Sequence, residues 1–507
     1  MKSGFAPRTA PGEQDSAAGE RVQVATDPRS DTVVSRLERH AGERPDAPAI
    51  VSLERSIDFR ELHARVVGCA DWLRSCGVER GERVGVTIDD EPAHLVVALA
   101  LAALGAAHVT LATHDPPGVR ARLAQRVGTK RVVASPESGV STGPERLDWD
   151  PERLPHWGRS GPRALPSPDP DGLLTIFSTS GTTGEAKLIP VTQRRLVRQS
   201  ERAVVGRVLS LSSIEHHWVE RQFLYAICAG TSIVLRGDIP TARSCAALGV
   251  DLVACMNAQA QELIDRARTD GRFPPPTALL VSGSRGSAPF RRQLIEQVAD
   301  RVGTTYSMQE CGSIARVIER GVENVTETAG RPHPGVAVEI VGTDGRPVPT
   351  GGEGEIRVRA PGMATGYLDD PSADARHFRD GWLCPGDLAS FTPDGALVIH
   401  GRADDVMSLH SIKIAPQEIE RALESHPAIR AVAAFALPSD RHGEIPCAAV
   451  ELVAGATCDE HELRRYAHQA MGLRAPRRVM VVGALPVTRQ GKVDRRRLAE
   501  LALGSAQ

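Results

Sequence analysis

Aromatic residues make up only 4% of this 507-residue chain, a bias that accompanies abundant alanine and arginine and has no functional weight of its own. Excess charge is also missing. Lys plus Arg total 61 against 63 Asp plus Glu, a formal net charge of -2, which excludes the basic footprint of a general nucleic-acid binder and any long acidic tail. The nine cysteines are odd in number, run scattered from Cys69 to Cys458 and form no C-x-x-C pair, which argues against a disulfide framework and a thiolate zinc site. A reducing cytoplasm is the simplest setting. The first 29 residues lack the apolar core of a secretory signal and read as a disordered leader. No tandem repeat or heptad run is present. The longest apolar stretch, Leu95 to Ala112, is broken by Gly105, His108 and Thr110. It therefore reads as a buried helix, a glycine turn and a buried strand, and no membrane span is expected.

What is present is an ordinary globular composition, 41% hydrophobic and 24% charged, on a chain long enough for two to four domains at roughly 150 residues each. From Asp31 to Leu111, helical periods alternate with short β-rich runs, the pattern of an α/β domain with largely parallel sheet. Residues 136–170, dense in Pro, Gly, Ser and Asp, read as a surface connection. Runs such as LLTIFS, DLVACM and ALLVSG extend the α/β pattern toward Val341, after which short antiparallel strands separated by D-G turns take over. Beyond Gly401 comes a compact unit: a helix at PQEIERALESH, two strands, a helix at DEHELRRYAHQAM and a basic terminal segment. The expected domains are a leader at 1–29, a large body at 30–401 and a smaller domain at 402–507.

The segment LLTIFSTSGTTGEAK has a buried strand opening into a loop of Thr179, Ser180, Gly181, Thr182, Thr183, Gly184 and Lys187. Glycines let successive backbone N–H groups converge on one anion, hydroxyls add donors, and the lysine adds charge, so the loop suits phosphates. It is not a Walker A sequence.

The chain from about Asp31 onward resembles the adenylate-forming superfamily of acyl-CoA synthetases, nonribosomal peptide synthetase adenylation domains and luciferases. The loop matches that family's T-S-G-T-T-G-x-P-K-G with Ala186 and Leu188 as departures. Tyr306 to Glu310 resembles Y-G-x-T-E. By that resemblance Tyr306 stacks on adenine, Gln309 approaches the α-phosphate or carboxylate, and Glu310 holds Mg2+, a hard ion suited to carboxylate oxygen. Gly354-Glu355-Ile356 and Gly366-Tyr367 resemble a scaffold segment. Pro385-Gly386-Asp387 resembles T-G-D, whose Asp takes the ribose hydroxyls, and Gly401 to Asp405 resembles G-R-x-D-D, with Arg402 reaching ribose or phosphate and Asp404 as the hinge. Lys413 and Lys492 fall on the two lysine motifs of the family's C-terminal domain, with Lys492 expected to bridge carboxylate and α-phosphate during adenylation. Ser411 stands where glycine is common, along the pantetheine route.

The acid side is less defined. The segment SIEHHWVERQFLYAI occupies the family's acyl-gate region, making His216, His217 and Trp218 candidates with Gly283 and Ser284 from VSGSRGSAPF. Arg221 would suit a second carboxylate, and Glu215 or Glu220 an amino group; helix packing and salt bridging are the alternatives. The resemblance implies an α/β fold: a large N-terminal domain of parallel and mixed sheets plus a small β-barrel-like part, and a small α+β C-terminal domain on a hinge. It implies an ATP- and magnesium-dependent ligase that adenylates a carboxylic acid, a small aryl or medium-length acyl acid of specialised metabolism, and transfers it. Catalysis is expected from Lys492, Glu310, Lys413 and Thr183. The expected acceptor is CoA, then an acyl carrier protein, with an amine acceptor or nitrite activation as non-thiol alternatives and a catalytically silent scaffold last.

Overall fold

The computed structural model describes residues 31–138, 144–150, 164–179, 186–204, 206–235, 242–282, 286–409, 412–439, 443–488 and 492–504. Two large sheets form the body. One contains Glu145–Asp148, Arg131–Ala134, Arg83–Thr87, Ala107–Thr110, Leu173–Thr179 and Lys187–Thr192 in that spatial order, parallel except for the last pair. The other has nine strands, with Val208–Ser210, Leu252–Met256, Ala278–Ser282 and Arg301–Met308 parallel at its centre.

Helices fill the space between. Helix Glu91–Leu104 is apolar on every side and buried from Ala93 to Ala103, which a helix can be only inside a large core. It starts on an Asp90 side-chain cap and ends at Gly105, whose φ of 70° is a left-handed stop that glycine adopts without Cβ strain. Strand Ala107–Thr110 follows at once, so the apolar stretch divides at the glycine as its composition predicted. Among the described residues no helix is long and apolar enough to cross a membrane, and all nine cysteines are free thiols.

One reading needs correction. Glu145–Asp148, inside the expected surface connection, is a strand paired parallel to Arg131–Ala134. The Tyr306 to Glu310 segment runs into the turn of a hairpin. Tyr306 lies in strand Arg301–Met308, which turns directly into the antiparallel strand Gly312–Arg320. Thr304, Thr305 and Tyr306 favour extended backbone, and Gly312 at φ 75° closes the turn.

A smaller antiparallel sheet carries Ala337–Val341, Gly354–Arg359, Asp387–Phe391 and Leu397–Arg402. Its last strand leads through Ala403–Val406 into a further sheet, where the long hairpin Ile429–Ser439/Gly443–Leu452 is flanked by Met407–Leu409 and Arg478–Val481. Helices Pro416–Glu424, Glu460–Met471 and Arg495–Gly504 accompany this sheet. The basic terminal segment is thus helical, its apolar side supplied by Leu498 and Ala502. Arg430 of this sheet donates to Asp265, on helix Asn257–Asp270 of the large body, at 2.8 Å.

Candidate active site

The strand Leu173–Thr179 points its C-terminal end at the site. Of the phosphate-loop candidates, Ser180, Gly181, Thr182, Thr183 and Gly184 lie outside the described residues, as do Gly283, Ser284 and Ser411; Thr179 is placed by its backbone at the strand end. Lys187 opens the returning strand and is half-buried. Its Nζ lies 2.6 Å from His377 Nε2 and 5.2 Å from the centre of the Tyr367 ring. His377 Nδ1 is 3.0 Å from the Cys384 carbonyl, so Nδ1 carries the proton and Nε2 accepts from the ammonium. Burial lowers the Lys187 pKa, and the neighbouring Glu310 carboxylate opposes that shift.

Glu310 sits one turn beyond strand Arg301–Met308. Tyr367 Oη donates to its Oε1 at 2.8 Å, and burial together with this carboxylate raises the Tyr367 pKa. One Glu310 oxygen thereby remains for other partners. A single carboxylate completed by phosphate oxygens and water is a fitting donor set for Mg2+. Gln309 lies next to it, with Oε1 buried and unpartnered among the described residues. An orphaned amide oxygen at this place fits a site awaiting a donor from a ligand.

The small sheet supplies the neighbouring wall. Asp387 and Arg402 are cross-strand partners, and Gly386 at φ 84° makes the turn before Asp387 while its carbonyl accepts from Ala403 N. Tyr306 Oη donates to Asp387 Oδ2 at 2.6 Å, and Arg402 Nη1 lies 3.4 Å from Oδ1. Burial raises the Asp387 pKa, opposed by Tyr306, Arg402 and Lys492. Burial and Asp387 push the Tyr306 phenol well above its ordinary range. Arg402 also holds Asp404 through two bonds, at 2.9 and 3.1 Å, and this pairing keeps the Asp404 carboxyl below its usual pKa. The charge of Arg402 reaches Lys187 and His377 as well, so the two walls form one electrostatic unit.

Lys492 is exposed on a short hairpin closed by Thr488 N donating to its carbonyl at 2.6 Å, and it lies close enough to act on Asp387. Lys413 is exposed on the strand Ile412–Ile414, in register with Ser408. The two lysines therefore occupy different elements of the small domain, and Lys492 is the one near the cleft.

The three helix candidates diverge. His216 precedes helix His217–Ala229 and stacks on His114 with ring centres 5.2 Å apart. His217 turns toward Phe177 and Ser178, its Nε2 2.9 Å from Ser178 Oγ. Trp218 packs against the apolar residues of the nine-stranded sheet, including Val208 and Leu280. Successive helical residues point about 100° apart, so these three do not converge as one pocket wall. Arg221 is engaged too. It lies 4.8 Å over the Phe177 ring and donates to the carbonyls of Met308 and Gln309, which fixes the helix to the Tyr306–Glu310 segment. Glu215 accepts from Thr113 N and Oγ1, and Glu220 is buried against His108 and Thr110. Recognition of a second carboxylate or an amino group by these side chains is not what their contacts show.

Residues 37–368 match the AMP-binding enzyme family, and residues 418–492 match the AMP-binding enzyme C-terminal domain. The chain belongs to the AMP-binding enzymes. This AMP-binding enzyme is an AMP-forming ligase of the adenylate-forming superfamily. It is 27% identical to a fatty acid–[acyl-carrier-protein] ligase, MmaC, of Mycobacterium marinum, over 93% of this chain and 98% of the relative. It is 28% identical to an indoleacetate–CoA ligase of Aromatoleum aromaticum, over 90% of this chain and 95% of the relative. Its fold matches that of the amide bond synthetase McbA from Marinactinospora thermotolerans with a TM-score of 0.81 at 23% identity, covering 93% and 99% of the two chains.

Reading the sequence of this AMP-binding enzyme missed Tyr367 and His377 as polar neighbours of Glu310 and Lys187. Gly366-Tyr367 had a purely structural reading, and His377 lies 190 residues from the lysine it faces. The sequence did carry a signal for the lysines. Only five stand among 61 basic residues, and three of the five are Lys187, Lys413 and Lys492. A chain that uses arginine nearly everywhere keeps the compact ammonium at these three places.

Proposed function

We propose that this AMP-binding enzyme adenylates a carboxylic acid with ATP, releases pyrophosphate, and passes the acyl group to the thiol of CoA. The observation that carries the reading is one continuous polar wall. Tyr306, Asp387 and Arg402 are in contact, Lys492 acts on Asp387, and Arg402 acts on Lys187, which stands beside Glu310.

In this reading Tyr306 offers its ring to adenine, the ionised Asp387 accepts from the ribose hydroxyls, and Lys187 with the loop Thr179–Gly184 takes the phosphates. A carboxylate oxygen of the acid attacks the α-phosphorus, the bond to the β-phosphate oxygen breaks, and pyrophosphate leaves with the electron pair. Lys492 holds the two reacting anions together as negative charge redistributes, an effect worth most in a cleft with little water. Gln309 orients the α-phosphate or the carboxylate by donating from its side-chain amide N–H, not through the unpartnered oxygen. Glu310 would hold Mg2+, which would neutralise charge on the phosphates. In the second step the acceptor attacks the acyl carbon and AMP leaves, with Asp404 as the pivot that exchanges Lys492 for Lys413. His217 borders the acid.

The acceptor is the finer part of the proposal, since the relatives named above include both a carrier-protein ligase and a CoA ligase. The test is acid-dependent conversion of ATP to AMP and pyrophosphate over a panel of carboxylates, with and without CoA, followed by mass spectrometry of the products. An acyl-CoA supports the full reading. Adenylate without thioester moves the acceptor to a carrier thiol or an amine, and absence of AMP with every acid overturns adenylation.

A further inference from the structure

Behind His217 lies a buried polar cluster that the adenylation chemistry does not use. Glu220, His108 and His94 each show 0% exposure, although an ionised carboxylate in such a place needs partners to remain charged. Glu220 has them. Its Oε1 is in a short contact with His108 Nε2, and its Oε2 accepts from Thr110 Oγ1 at 3.0 Å and lies 3.7 Å from His217 Nδ1. Burial would raise the Glu220 pKa, yet its histidine neighbours hold it well below the usual carboxylate range. His94 backs Thr110 at 3.3 Å and is itself tied through Nδ1 to the Ile88 carbonyl at 3.0 Å.

This cluster places an anion beside His217. Nδ1 is buried without a hydrogen-bond partner among the described residues, with Glu220 Oε2 at 3.7 Å; a proton on Nδ1 faces that anion and leaves Nε2 as the acceptor, and Nε2 lies 2.9 Å from Ser178 Oγ. Ser178 is the residue before Thr179, at the strand end that opens into the phosphate loop, and it is partly exposed. Carboxylate, imidazole and hydroxyl therefore follow one another from the buried cluster to a partly exposed residue, the order in which a base is oriented from behind. At 3.7 Å the Glu220–His217 contact is longer than a hydrogen bond, and catalytic contacts of this kind tighten when a site fills.

We propose that Glu220, His217 and Ser178 form a proton relay for the transfer step, with His217 as the base that receives the acceptor's proton and Glu220 as its positioning residue. The inference rests on the adenylation reading above. The acceptor's sulfur or nitrogen attacks the acyl carbon, the acyl–oxygen bond to AMP breaks, and AMP leaves with the electron pair. The acceptor's proton passes to His217 Nε2 through the Ser178 hydroxyl, and Glu220 stabilises the resulting imidazolium. The other charged groups around His217 are His108 and His94, which face it only across Glu220, Arg221 against the Phe177 ring, and Glu215, which is occupied by Thr113.

The experiment separates the two steps. Hydroxylamine traps an acyl adenylate as hydroxamate and needs no base from the protein, whereas transfer to CoA, or to ethylamine as the amine arm, does. With an acid taken from the panel, hydroxamate formation and transfer are each measured from pH 5.5 to 9 for the wild type, E220Q and H217Q. Transfer in E220Q is expected to fall at least about tenfold further than hydroxamate formation. The acidic limb of its transfer profile should differ from that of the wild type, because the imidazolium has lost its carboxylate. H217Q is expected to lose that limb, and it keeps the question open to refutation should E220Q not fold. Equal losses in both steps with an unmoved limb, or a limb that persists in H217Q, overturn the relay alone. A wild-type protein that forms no hydroxamate with any acid overturns the adenylation reading and takes the relay with it.

Discussion

The Tyr306–Asp387–Arg402 contacts and the His94–His108–Glu220 cluster are both polar and largely out of water, yet they are satisfied in opposite ways. The first is open. Asp387 receives one phenol at 2.6 Å and a distant guanidinium at 3.4 Å, Gln309 nearby keeps an unpartnered oxygen, and Lys492 stands exposed on a hairpin. The second is closed at its carboxylate, with both oxygens of Glu220 engaged by residues drawn from a strand 110 and 112 positions away, while His108 Nδ1 is buried without a partner among the described residues. Open clusters at strand ends have capacity left for a ligand. A closed carboxylate has spent its acceptors on its neighbours and acts by orienting what touches it.

The difference predicts which substitutions cost stability and which cost rate. His108→Ala leaves a carboxylate buried without its main partner and should destabilise the protein by about 3–5 kcal/mol in urea unfolding, whereas His108→Leu combined with Glu220→Leu should recover most of that loss. If the single variant unfolds like the wild type, Glu220 is not the charged centre of a closed cluster. Lys492→Ala belongs to the open side. Acid-dependent pyrophosphate release should fall about a hundredfold or more with the unfolding midpoint unchanged, as the loss of one positioned charge gives. A variant of normal activity removes Lys492 from the adenylation step.

Acid sharpens the same contrast. His40 is buried beside Arg44, and its pKa is lowered to about 4, so it enters the fold neutral. Stability that depends on the neutral ring is complete above about pH 6.5 and is lost as pH falls toward 4, a loss of roughly 2–3 kcal/mol measurable by denaturant titration at pH 7 and 4.5. His40→Gln should flatten that dependence. Asp387 titrates the other way: its raised pKa means that ATP affinity, read by isothermal titration, weakens on acidification at higher pH than an ordinary carboxylate would cause. The smallest effect is expected at the surface, where Arg430→Ala removes a half-exposed pair with Asp265 and should cost under about 1 kcal/mol.

Legibility followed the same division. Tyr306, Glu310, Asp387 and Arg402 lie in short motifs at strand ends or turns, so local sequence and order along the chain mark them as candidates. Glu220 was not legible. Its meaning depends on His108 and Thr110, and a glutamate on a helix reads as solvent-facing until the strand behind it is known. The hairpin at Tyr306 was missed for a related reason, since Gly312 closes it only in partnership with an extended segment eight residues long. Architecture was easier than side-chain company: the run from Leu95 to Ala112 announced a buried helix, stop and strand through Gly105 alone.

Arg402 is held from two sides within a few residues of chain. It faces Asp387 on one flank and grips Asp404 on the other, at the stretch of backbone where the smaller sheet departs from the body. One cation shared by two anions makes their occupancies interdependent. Whatever draws the guanidinium toward a ribose or a phosphate withdraws it from Asp404 and loosens the junction, and whatever turns the junction alters the charge that Asp387 meets. On the proposed adenylation reading, nucleotide occupancy and the position of the small domain would be linked through this one cation.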